Sequence, residues 1–334
     1  MNSKANIGVG RLGSVCVAIT LLAACPRCWA EEPPVYDLID IAQSSRMRHP
    51  KPVTTVLFLR SGEVLITACA DGVVRFCNIK KNEIEAEIQA ASKGRTCSIC
   101  LTKDSKTLFA AGDPIIKVLD TQKRDMLWTM EFSKEQSPVM DIAVSPDSKS
   151  LAVLFEHSSV LLEARTGKTL FRFDSKESRL RDCVFSNDSK RLMVTSKIAT
   201  SILDVKAFRI DRSFSCRGTE YPLGIAWSPD DSVIAIGSSN GQVDLWDAQS
   251  GEKKHTFIVE GSVPLFVRYM NKDNLLTADD LGNLKAWSVS QKKLLGRQKC
   301  ASGEITGLQI SPDGKRIGVA SIDGDVAVYD LIQR

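Results

Sequence analysis

Histidine is nearly absent from this sequence: His49, His157 and His255 are the only three in 334 residues. Chemistry that relays protons through imidazole, or builds a metal centre on it, has little material here. Long apolar runs are missing after residue 30, so no later segment reaches the length of a membrane-spanning helix. A strong charge of either sign is missing as well. Lys and Arg number 44 against 40 Asp and Glu, a net +4. Lys4, Arg11 and Arg27 supply three of those charges within thirty acid-free residues, which leaves +1 for the remainder. That balance removes the bulk electrostatic case for a nucleic-acid partner. What remains, 43% hydrophobic and 25% charged, has the composition of a globular chain.

Residues 1–30 read as an export leader. Lys4 and Arg11 precede the apolar run Val15–Ala24, Pro26 ends it, and Cys28-Trp29-Ala30 sets small residues before Glu31. The expected product is periplasmic or secreted. Within the same stretch, Leu22-Ala23-Ala24-Cys25 resembles a lipoprotein box, which would instead anchor the chain through a lipidated Cys25. Three of the ten cysteines fall in this leader. The other seven (Cys69, Cys77, Cys97, Cys100, Cys183, Cys216 and Cys300) are odd in number, spread along the chain and mostly inside apolar runs. They read as small core residues rather than a disulfide framework, with one or two chance bridges left open.

The chain repeats itself. Ser145-Pro-Asp-Ser-Lys149, Ser186-Asn-Asp-Ser-Lys190, Ser228-Pro-Asp-Asp-Ser232 and Ser311-Pro-Asp-Gly-Lys315 share one turn signature. Weaker copies stand at Thr102–Lys106, Ser61-Gly62 and Asn271–Asp273. The turn centres fall at 61, 104, 147, 188, 230, 272 and 313, with steps of 41 to 43 residues. Three residues before each centre stand Phe58, Leu101, Val144, Phe185, Trp227, Tyr269 and Ile310. Five before stand Val56, Ile99, Ile142, Cys183, Ile225, Val267 and Leu308, so one face of this strand is buried. Six before, the column is mostly small or polar and includes Asp141 and Asp182, as suits a channel lining. Each copy continues with Asp-Gly or Asn-Gly hairpins and alternating runs, a four-stranded meander.

These repeats, over roughly residues 36–334, resemble the WD-repeat family. The naming dipeptide is intact at Trp246-Asp247 and altered at Cys77-Asn78, Leu119-Asp120, Leu203-Asp204, Trp287-Ser288 and Tyr329-Asp330; Glu163-Ala164 departs further. The Gly-His pair that opens such repeats is absent, so the family's buried hydrogen-bonded tetrad is expected in no blade. The resemblance implies an all-β, seven-bladed β-propeller of four-stranded antiparallel blades, of the divergent bacterial type. Residues 31–51 would form an N-terminal segment and 52–334 the propeller. The last repeat stops after its third strand, and Tyr36–Ala42 alternates like a strand, so this segment is expected to complete that blade beside residues 324–331.

Few motifs point to chemistry. Gly237-Ser-Ser239-Asn-Gly241 fits the hydrolase elbow pattern but lies between two strands, where a Ser/Gly turn is expected. Gly167-Lys-Thr169 lacks the first glycine of a phosphate loop and reads as a hairpin. Cys97 and Cys100 have ligand spacing, yet residues three apart on a strand face opposite sides. Asp141 and Asp182 on neighbouring inner strands could bind a cation or water; a structural role is the expectation. No catalytic residue, cofactor or metal site is therefore assigned.

The function expected is a non-catalytic, exported scaffold, monomeric and without a transmembrane segment, which binds a protein or peptide rather than nucleic acid. The alternatives are a lactonase-like propeller enzyme acting on a small molecule, or a sensor or outer-membrane assembly subunit. The partner site is expected at Arg179, Arg181, Lys197 and Tyr221, where the fourth repeat departs from the usual turns. Asp279, Asp280, Glu304 and Asp323 would make the opposite sector acidic.

Overall fold

The computed structural model describes residues 40–91, 98–112, 115–132, 139–174, 179–215 and 221–332. These form twenty-eight strands in seven four-stranded antiparallel sheets. The first strand of each repeat contacts the first strand of the next all the way round, and the last of them returns to the first. The result is a seven-bladed β-propeller with these strands innermost. Both faces of each sheet are buried against neighbours, so the core is a ring of clusters between blades rather than one centre.

The repeated turn is a hydrogen-bonding device. In the third blade, Ser145 Oγ donates to Asp147 Oδ1 at 2.6 Å, and that oxygen also accepts from the Lys149 amide at 3.1 Å. The pair recurs at Thr102 and Asp104, Ser186 and Asp188, Ser228 and Asp230, and Ser311 and Asp313. Residues Ser105, Ser148, Ser189, Asp231 and Gly314 take left-handed backbone there, which closes the hairpin tightly. The aspartate of the naming dipeptide works alike at the other end of the blade. Asp247 accepts from the amides of Gln249 and Ser250, as Asp120 and Asp204 do in their own turns.

The N-terminal segment closes the last blade as expected, through a strand that continues beyond Ala42. Strand β1, Asp40–Arg48, pairs antiparallel with β28, Asp325–Ile332, from Asp40 opposite Ile332 to Arg48 opposite Asp325. Of the anticipated Tyr36–Ala42, residues 40–42 belong to this strand, and residues 36–39 lie outside the described residues. The inward positions are Ser45, Met47 and, just beyond the strand, His49, while Ser44, Arg46 and Arg48 face out. Arg46 and Arg48 both pair with Asp325, at 2.5 and 3.3 Å.

Candidate partner-binding face

Two sets of loops share one face of the ring. Backbone bonds join the turn between second and third strands of a blade to the loop leading into that blade. They run from Lys197 to Arg179 (3.2 Å), Ser239 to Tyr221 (2.9 Å), Asp280 to Val263 (3.2 Å) and Ile322 to Glu304 (3.0 Å). The four residues expected at the partner site all lie on this face. Arg179 is exposed and donates to Glu156, and Lys197 is exposed beside it. Tyr221 is exposed, and its amide is held by Ser239 Oγ at 2.9 Å. This bond also explains the Gly237–Gly241 pattern: Ser239 braces a strand-to-strand turn in which Gly241 takes positive φ.

Arg181 stands apart. It is half-buried at the start of the fourth inner strand, within electrostatic reach of Arg179, Asp182 and Tyr221. Among the described residues it makes no hydrogen bond or ion pair. Burial, then the Arg179 charge, lower its affinity for its proton, which remains bound at any ordinary pH.

Its position follows from a feature that periodicity did not reveal. In six of the seven inner strands the register slips at the start: between Val53 and Thr55, Val139 and Asp141, Leu180 and Cys183, Pro222 and Ile225, Pro264 and Phe266, and Ile305 and Gly307. A bulge of this kind frees one side chain from the pleat and re-aims it. The bulged column, seven residues before each turn centre, reads Thr54, Met140, Arg181, Leu223, Leu265 and Thr306 around the channel mouth. Thr54 and Thr306 bond to the carbonyls of Ala68 and Val53. The other members are apolar apart from Arg181, the single charge in the described column.

The opposite sector is less acidic than expected. Asp279 is 1% exposed, accepting from Ser262 Oγ at 2.7 Å and from Asn283, with Lys285 at 3.7 Å. It belongs to the interior of its blade, because it sits at the inward end of a strand rather than in the turn. Asp280, Glu304 and Asp323 remain at the surface, and burial with the Asp280 charge raises the Glu304 carboxyl.

Inside the channel, Asp141 and Asp182 join three blades. Asp141 accepts from Ser98 Oγ at 2.8 Å and from the Cys183 amide at 3.0 Å, and its carboxyl meets that of Asp182. Two carboxylates cannot both ionise at such range: burial raises both, the Asp141 charge raises Asp182 further, and the hydrogen bond from Asp182 partly offsets the rise at Asp141. Arg268 faces them and moderates Asp182. Hydrogen bonding within the ring accounts for the pair, and among the described residues no three metal-ligating side chains converge.

The histidines and cysteines resolve differently. His157 is exposed, 3.6 Å from Glu156, and His255 lies on an outer strand against Phe257. His49 is 3% exposed, and its Nε2 lies 2.9 Å from Thr67 Oγ1 and 3.8 Å from Cys77 Sγ. A buried His–Thr contact thus forms in the first blade without a preceding glycine, although the full tetrad does not. Asp71 is present too but is drawn to Arg75, and Cys77 replaces the tryptophan. The sixth blade keeps the other half, with Trp287 Nε1 donating to Thr277 Oγ1 at 2.9 Å. In the fifth, Ile236 stands where those threonines do, and Trp246 Nε1 has no partner. Cys69, Cys77, Cys100, Cys183 and Cys300 are free thiols. Cys97 lies outside the described residues, as does Cys216.

Two family descriptions match the chain. "WD domain, G-beta repeat" matches residues 43–78, the repeat that contains His49, Thr67 and Asp71. "Nucleolar protein 10-like, N-terminal domain", a β-propeller, matches residues 82–334. The chain belongs to this WD-repeat propeller family. It is 21% identical to telomerase protein component 1 of Mus musculus, over 86% of this chain and 11% of that protein. It is 25% identical to WD repeat-containing protein 55 of Bos taurus, over 58% and 50% of the two. To U3 small nucleolar RNA-associated protein 4 homolog of Homo sapiens it is 23% identical, over 60% and 31%. The chain thus spans from about a tenth to a half of the curated relatives it matches.

Proposed function

We propose that this propeller is a non-catalytic scaffold, exported from the cell that makes it, which holds a protein or peptide on the loop face around Arg179, Arg181, Lys197 and Tyr221. The observation that carries the reading is the composition of that face. Exposed Met140, Ile198 and Tyr221 stand with the basic residues in its loops and bulges, and exposed Leu281 and Ile322 continue the apolar surface into the opposite sector. Apolar anchors next to arginine are what interface hot spots are made of. Export rests on the sequence of residues 1–30, and cleavage before Glu31 is the form proposed.

The near-neutral charge that argued against nucleic acid is an overall property, and one relative is named for association with a small nucleolar RNA. RNA is therefore included as a competing arm of the test. Reversing Arg179 and Arg181 to glutamate should leave the melt unchanged and reduce capture of the principal protein partner from the native extract. Unchanged capture would place the site elsewhere. Ribonuclease-sensitive capture would replace the protein partner with RNA, and turnover of a lactone panel would replace the scaffold with an enzyme.

A further inference from the structure

Among the described residues, Arg181 is a half-buried charge without a hydrogen-bonded partner at the channel mouth. Arg181 offers five N–H donors, is half withdrawn from water, and bonds to nothing among the described residues. A guanidinium so placed forgoes part of its hydration without a partner in return. Its neighbours in the bulged column are apolar: Met140 on the blade before and Leu223 on the blade after, with Leu265 beyond. Arg179, the nearest second cation, is already occupied by Glu156.

We propose that Arg181 is the seat for a partner carboxylate, an Asp or Glu side chain carried between apolar residues of an extended segment. This rests on the docking face proposed above and names what docks there. The acid would take a paired, fork-shaped hydrogen bond from the guanidinium. Its apolar neighbours would lie on Met140 and Leu223, with Tyr221 and Ile198 at the outer edge. The surroundings favour this occupant over the other anions. A phosphate dianion calls for several free cations, and a nucleic-acid strand calls for a row of them. The basic sector provides Arg181, half-buried with Met140 and Leu223 on the neighbouring blades, and only Lys197, exposed at the rim, as a second cation without an ion pair among the described residues.

The experiment is a random dodecapeptide display on the purified propeller, followed by anisotropy with labelled selected peptides. The expected peptides carry Asp or Glu flanked by apolar residues. Replacing that acid with its amide should weaken binding about tenfold or more, and Arg181→Gln in the protein should do the same. Arg181→Lys should retain part of the affinity. Arg181→Met serves as a second neutral variant where the glutamine form does not fold. Selected peptides without an acid, peptides that bind Arg181→Gln equally, or no enrichment at all would overturn the assignment. Peptides that crosslink through Tyr221 yet ignore Arg181 would overturn it while leaving the docking face standing. Peptides seated on the turns of the opposite face would overturn both.

Discussion

His49 Nε2 lies 2.9 Å from the hydroxyl of Thr67, joining the segment that closes the ring to the second strand of the first blade. Burial, then the nearby Arg75 charge, holds this imidazole down to about 4, while its Nδ1 has no partner. The unfolded chain therefore binds a proton at His49 that the folded chain refuses. Stability contributed here is full above about pH 6.5 and falls as the pH drops towards 4, by about 3 kcal/mol at most. Thermal melts of wild type and His49→Gln between pH 4 and 7.5 check this. The variant should be less stable at neutral pH and should show a flatter slope over that window.

The channel carboxyls predict the opposite sign. Asp141 and Asp182 are both raised in the folded state, by burial first and, for Asp182, by its partner's charge next. The folded chain holds a proton that the unfolded chain releases above about pH 4. This pair therefore costs stability as the pH rises from there through the folded values. Asp182→Asn keeps a donor towards Asp141 and removes the repulsion. Its melting temperature should exceed that of wild type by a few degrees at pH 8, with the gain shrinking as the pH falls towards 4.

Ring closure depends on β1. Removing residues 40–48 would expose the edge of β28, Asp325–Ile332, and uncover Val326 and Val328, which are fully buried. Exposed edges of this kind pair with other chains. The truncated chain should melt at least ten degrees lower and self-associate on gel filtration. The milder Met47→Ala, at a position 6% exposed, should cost about 2 kcal/mol in denaturant titration.

The leader has its own test. Intact mass of protein from the producing cell should begin at Glu31; a lipidated Cys25 terminus would establish the anchored form instead.

The repeat was legible because its turns carry their own chemistry: Ser or Thr with Asp two residues on bonds locally, so the spacing survives while other positions drift. The run of the closing strand beyond Ala42 carries little sequence signal, because residues 44–48 hold one apolar side chain, Met47, and owe their pairing partly to Arg46 and Arg48 on Asp325. The bulged column escaped notice because it mixes Thr, Met, Arg and Leu, with no hydropathy in common. The buried contact of His49 has no signature in the sequence, because Arg48, not glycine, precedes it. Asp279 looked like a turn residue, but one position separates the strand end from the turn, and that position decides between interior and surface.

The most direct test of the account places a photo-activated crosslinker at Tyr221 on the loop face, or at Gln249 in a turn on the opposite face, in the producing cell. Both positions are exposed. One dominant protein adduct is expected from Tyr221, lost when Arg179 and Arg181 are reversed, and none from Gln249. The same adduct from Gln249, with Tyr221 silent, would contradict the account.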